Sequence, residues 1–98
     1  MYKDIISYEL AENVSQEDLV KIAKQIVTDW MTKQPGFIKW EIHIKKDQSF
    51  TDIVYWESEK DAKLAEKEMV NIPNAAEWYG CYKSGTISSK NITLIAAF

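Results

Sequence analysis

One histidine and one cysteine are the side chains of this 98-residue chain best suited to chemistry near neutral pH. Histidine is the one side-chain type whose free pKa lies near neutrality, which makes His43 the candidate general base or proton shuttle. It shares a polar strand face with Glu41 and Lys45, and a merely solvated or interfacial histidine would look the same. The plain alternative weighs more, because no orienting partner is evident from sequence. Cys81, between Gly80 and Tyr82, would be a nucleophile only with a depressed pKa, so a small buried hydrophobe is the better expectation. A lone cysteine forms no intrachain disulfide and suits a reducing compartment. With one histidine beside it, it cannot complete a thiolate and imidazole zinc site within one chain. No metal site is expected.

The remaining chemistry is aromatic. Trp78, Tyr79 and Tyr82 form the densest cluster, on a short segment that could close one end of a sheet as a lid over a small-molecule cleft. The same residues would serve equally as a satellite core or a dimer contact. Trp56 could wall an aromatic-binding pocket, against the commoner role of core packing. Tyr8 and Tyr55 could donate phenolic hydrogen bonds into such a cleft. Trp30 and Trp40 are assigned to the core on periodicity alone.

These groups must be positioned by elements that the hydropathy pattern marks out. Tyr2 to Leu10 alternates, with Ile6, Tyr8 and Leu10 on one face and Ile5, Ser7 and Glu9 on the other, as a strand does. Ser15 with Asp18, and Val14 with Leu19, carry the capping-box and staple spacings of a helix start. Leu19, Ile22, Ala23, Ile26, Val27, Trp30 and Met31 then make one helical stripe, which Pro35-Gly36 ends. Phe37 to Lys46 alternates again, with Ile38, Trp40, Ile42 and Ile44 opposite Lys39, Glu41, His43 and Lys45. Phe50 to Trp56 pairs with it as a hairpin whose loop, lacking glycine, leaves the turn type open. Ser58 and Asp61 start a second helix along Ala62, Ala65, Met69 and Ile72, which Pro73 ends. A short helix from Asn74 carries the aromatic cluster, and Ile92 to Phe98 reads as a final apolar strand. The charged residues Lys60, Lys63, Glu66, Lys67 and Glu68 are a solvated helix face.

Composition narrows the partners. A net charge of −3 and a pI near 5.1 argue against nucleic acid and against an anionic membrane surface. All twelve basic residues are lysine, so no guanidinium is present for bidentate grip on a phosphate or carboxylate. The N-terminus lacks a basic region followed by a long apolar run, and a cytoplasmic location is expected. A single domain over residues 1–98 buries only roughly 60–65% of its unfolded surface, and a second copy of the chain would help to complete its core.

Pro35-Gly36-Phe37 between helix and strand, Trp56-Glu57-Ser58 between strand and helix, and the order of elements together resemble the dimeric α+β barrel superfamily. Within it, the chain is similar to the branch of the antibiotic-biosynthesis monooxygenases. That resemblance implies an α+β fold, a ferredoxin-like split β-α-β-β-α-β domain, which dimerises through the helix-free face of its sheet. Apolar residues on both faces of the later strands, such as Val54 and Trp56 against Ile53 and Tyr55, agree with a covered second face. The resemblance further implies a small apolar or aromatic ligand between sheet and helices, and cofactor-independent oxygenation of it. His43 would then accept a proton, Tyr8 or Tyr55 would donate hydrogen bonds, and no organic cofactor or metal would be required. A non-catalytic dimeric binding protein, its aromatics serving as core and interface, is the competing expectation. The superfamily's haem-degrading branch has an asparagine in the first strand, a tryptophan inside the second helix and a histidine just after it; this chain has none of these, and haem degradation is disfavoured.

Overall fold

Four alternating segments and two helical stripes build a sheet covered on one side. The computed structural model describes residues 1–98 as β1 (Tyr2–Tyr8), α1 (Gln16–Asp29), β2 (Phe37–Ile44), β3 (Phe50–Trp56), α2 (Glu59–Glu68), α3 (Ala75–Tyr79) and β4 (Ser88–Thr93). The strands form one antiparallel sheet in the order β2-β3-β1-β4. This is the ferredoxin-like α+β arrangement expected from element order. No helix is long and apolar enough to cross a membrane.

Helix α1 starts where the sequence marks it. Asp18 N donates to Ser15 Oγ at 3.0 Å while Ser15 N donates to Asp18 Oδ2 at 3.2 Å, a complete capping box. Leu19, Ala23 and Ile26 are its buried stripe. The helix ends at Asp29, earlier than the apolar stripe suggests, because the chain tightens into a 3₁₀ turn over Met31–Lys33 ahead of Pro35. Trp30 and Met31 stay in the core through that turn.

The two junction motifs touch. Glu57 N donates to Gly36 O at 2.8 Å, and Gly36 holds φ +79°, a conformation that glycine adopts without strain. A Cβ at Gly36 would fall on the carboxylate of Asp61, in the first turn of α2, whose N–H is capped by Ser58 Oγ at 3.1 Å. The glycine therefore lets the entry to β2 pack against the start of α2.

Three boundaries differ from the sequence expectation. A bulge between Phe37 and Lys39 turns Phe37 inward opposite Trp56 and leaves Ile38, expected beside Trp40, 40% exposed. Strand β1 stops at Tyr8, and Leu10 makes only an isolated bridge to Tyr82. The final strand is shifted: its pairing with β1 ends at Tyr2 with Thr93, and one further bond joins Leu94 N to Met1 O at 2.9 Å. The apolar residues expected to pair, Ile95 and Phe98, are fully exposed instead.

Alternation sorts the sheet into two faces. Tyr2, Asp4, Ile6 and Tyr8 of β1, with Phe50, Asp52, Val54 and Trp56 of β3, face the helices. Two packed clusters result, one around Ile26, Trp56 and Trp78 and one around Tyr8, Leu19, Phe50 and Cys81. The opposite face carries Lys3, Ile5, Ile53 and Tyr55, with Lys39, Glu41 and His43 beside them.

Candidate functional site

Between the sheet and the helices lies a cavity of about 310 Å³. Its floor is the helix-facing side of β1 and β3, and its far wall is the alanine face of α2, where Ala62 and Ala65 are buried. Small residues there leave the space that leucines would fill. All four tryptophans of the chain, Trp30, Trp40, Trp56 and Trp78, line it, together with Tyr82.

Asp52 is the central polar group. It occupies the inward register of β3, between Ile6 on β1 and Ile42 on β2, and is 1% exposed, the one buried charged residue. Tyr8 Oη donates to its Oδ1 at 2.7 Å, and Trp40 Nε1 donates to its Oδ2 at 3.1 Å. Burial lifts its pKa from the ordinary 3.8 to about 6, against the opposing pull of those two hydrogen bonds and of His43. A carboxyl poised there can take up or release a proton near neutrality, as a general acid or base must. Burial and then the Asp52 charge push the Tyr8 phenol far above its usual range, so Tyr8 remains a donor. Tyr82 is raised in the same way, and its Oη accepts from Trp78 Nε1 at 2.6 Å.

A second carboxylate lies on the same floor. Asp4 is one step along β1 from Ile6, and burial raises its pKa. With its amide oriented to satisfy both neighbours, Asn91 accepts from Tyr2 Oη at 2.9 Å and donates to Asp4 Oδ1 at 2.8 Å. Trp56 is 3% exposed and its indole nitrogen is buried with no hydrogen-bond partner. It draws the Asp4 pKa down in part, yet falls short of hydrogen-bond geometry.

The residues singled out from sequence divide between two surfaces. Trp56, Trp78 and Tyr82 line the cavity. Tyr8 reaches it through Asp52, its own ring packed in the neighbouring cluster against Phe50 at 5.9 Å and Tyr82 at 4.4 Å between centroids. Tyr79 stacks on Trp78 at 5.0 Å and is 49% exposed, outside the lining. His43 and Tyr55 lie across the sheet, on the helix-free face. There His43 Nε2 is 3.2 Å from Glu41 Oε1, Tyr55 Oη donates to the same oxygen at 2.7 Å, and Lys39 Nζ is 3.1 Å from Glu41 Oε2. The expected joining of His43 and Tyr55 with Tyr8 in one cleft does not occur, because strand alternation sends them to opposite faces. Cys81 is buried, donates to Glu77 O at 3.3 Å, and burial raises its pKa.

Asp52, Asp4 and Asn91 are the polar groups the sequence expectation missed. The signal was present for two of them: an aspartate at every-second-residue spacing within Phe50, Asp52, Val54 and Trp56, and another between Tyr2 and Ile6. A charge on an otherwise apolar strand face is a buried charge.

No protein-family model and no curated protein matches the chain by sequence. Solved structures do match by shape. SnoaB from Streptomyces nogalater, a cofactor-independent oxygenase, aligns over 98% of this chain and 94% of its own, with a TM-score of 0.76 and 13% identity. A monooxygenase from the gene ActVA-Orf6 of Streptomyces coelicolor, in complex with the ligand nanaomycin D, aligns over 99% and 89%, with a TM-score of 0.74 and 20% identity. An antibiotic biosynthesis monooxygenase aligns over 98% and 100%, with a TM-score of 0.63 and 8% identity. The chain thus has the fold of the antibiotic-biosynthesis monooxygenases, as its junction motifs suggest. At these identities the likeness carries architecture, and chemistry must be argued from the site.

Proposed function

We propose that the cavity binds a small, largely apolar or aromatic molecule and that the protein oxygenates it without a cofactor, with Asp52 as the proton acceptor. The observation that carries this reading is a carboxyl 1% exposed, held by Tyr8 and Trp40 inside a cavity walled by four tryptophans, where burial lifts its pKa to about 6. The fold shared with a cofactor-independent oxygenase supports the reaction class. An ionisable aromatic substrate gives its proton to Asp52 and becomes electron-rich enough to reduce dioxygen. One oxygen atom enters the ring as a carbonyl and the other leaves as water, with all four electrons coming from the substrate. Tyr8 and Trp40 hold the carboxylate for this step, and His43, across the sheet, takes no part in it.

We further propose that the protein is a homodimer joined through its helix-free face. Ile5 and Ile53 on that face, with the exposed Ile92 and Leu94, supply the apolar contact, and the Lys39, Glu41 and His43 set supplies polar pairing around it. Light scattering at micromolar concentration should give twice the chain mass; a strict monomer contradicts it.

The functional test is oxygen uptake with 1,5-dihydroxynaphthalene. The expected result is one dioxygen consumed per hydroxynaphthoquinone formed, at a rate lowered on the order of a hundredfold by Asp52→Asn. Saturable binding with no turnover would instead leave a binding protein, and oxygenation would be wrong.

A further inference from the structure

The polar groups of the cavity point to the charge its ligand carries. Asp4 and Asp52 stand on adjoining strands, Asp4 opposite Val54 and Asp52 opposite Ile6, which makes them diagonal neighbours roughly 7–8 Å apart on one floor. The only basic side chain in the lining, Lys63, is 3.7 Å from Glu66, which lines the same cavity and offsets it. The walls therefore carry a net negative charge, with Asp4, Asp52 and Glu66 against Lys63, beside the faces and edges of four indoles. Such a combination attracts a cation twice, by direct charge and by the negative faces of aromatic rings. It repels an anion. The Trp56 indole N–H is buried in the same lining without a partner in hydrogen-bond geometry, and the acceptor it acts on is the Asp4 carboxylate, whose pKa it draws down.

We propose that the cavity takes a small aromatic molecule bearing a protonated amine, its ring among the tryptophans and its ammonium group between Asp4 and Asp52. This rests on the reading of the cavity as a ligand site and adds the chemical class of the ligand. The cavity volume, about 310 Å³, suits a molecule of one or two rings.

Calorimetric titration of the full chain at pH 8 with 1-naphthylmethylammonium, and with its neutral isostere 1-naphthalenemethanol, tests the proposal. The ammonium should bind at least tenfold more tightly than the alcohol, and Asp4→Asn should shrink that preference several-fold. Near Asp52 the ionisable groups are Tyr8, Tyr82 and, across the sheet, His43; near Asp4 they are Tyr2, Lys63 and Glu66. Of these carboxyls Asp52 is the one lifted to about 6, so the ammonium should lose on the order of tenfold in affinity between pH 8 and pH 5, with the alcohol unchanged. Equal affinity for the two probes would overturn the cation assignment and leave the aromatic cavity standing. Failure of both probes to bind would overturn the cavity reading as well.

Discussion

Tyr8 Oη donates to Asp52 Oδ1 at 2.7 Å, joining β1 to β3 beneath the cavity across 44 residues of sequence. Tyr8→Phe leaves that oxygen, on a carboxyl only 1% exposed, without its donor. We expect a loss of about 1–3 kcal/mol in urea unfolding, together with a further rise in the Asp52 pKa, because this hydrogen bond favours the charged form. An unchanged pKa would show that the bond does not act on the carboxylate.

Asp52 also sets a pH dependence of stability. Its folded pKa lies above its unfolded value, so the native state holds more protons between about pH 4 and pH 6, and stability falls as pH rises through that window. A shift of this size corresponds to roughly 3 kcal/mol. Asp52→Asn should abolish that slope, so the variant gains on the wild type by roughly 2–3 kcal/mol from pH 4 to pH 7.5 in paired urea titrations. Parallel pH profiles would contradict the assignment.

Much of the architecture could be read from period alone. The Leu19 to Ile26 stripe, the alternation in β3 and the two caps at Ser15 and Ser58 are local signals, each satisfied within a few residues. Composition misplaces the last strand because Ile92 to Phe98 has the make-up of a strand, whereas pairing depends on where β1 lies, as in Tyr2 opposite Thr93 at the other end of the chain. The site was half legible. Trp56, Trp78 and Tyr82 stood out by residue type, but His43 drew attention for its intrinsic pKa, when burial at Asp52 makes the group that titrates near neutrality inside the cavity. An intrinsic pKa belongs to the residue; a shifted one belongs to its surroundings.

Gly36→Ala should destabilise the fold by roughly 2–3 kcal/mol, since it adds a left-handed backbone penalty to an overlap with the Asp61 carboxylate. Asp61→Ala in the same background should recover part of that loss by removing the carboxylate, while the Asp61 Cβ still lies 2.7 Å from the added methyl. Thermal unfolding of the two variants measures both, and no recovery would assign the cost to the backbone and the Asp61 Cβ contact and none of it to the carboxylate.

Gln48 closes the β2–β3 hairpin at φ 71°, with its N–H donating to Lys45 O at 2.9 Å. This is a glycine position occupied by a side chain. Gln48→Gly should therefore stabilise by roughly 0.5–1 kcal/mol, the opposite sign to Gly36→Ala, as a rise in Tm. A fall in Tm would mean that the Gln48 side chain contributes more than the strain it imposes.

Asp52 is the group on which the proposed chemistry depends, and carbon-13 NMR of its carboxyl reads it directly. In the ligand-free protein the Asp52 resonance should titrate with a midpoint of about 6, well above the other carboxyls, and Tyr8→Phe should move it higher. A midpoint at or below the ordinary aspartate value of 3.8 would mean that Asp52 stays ionised throughout and is no proton acceptor, and the proposed chemistry of the cavity would be contradicted.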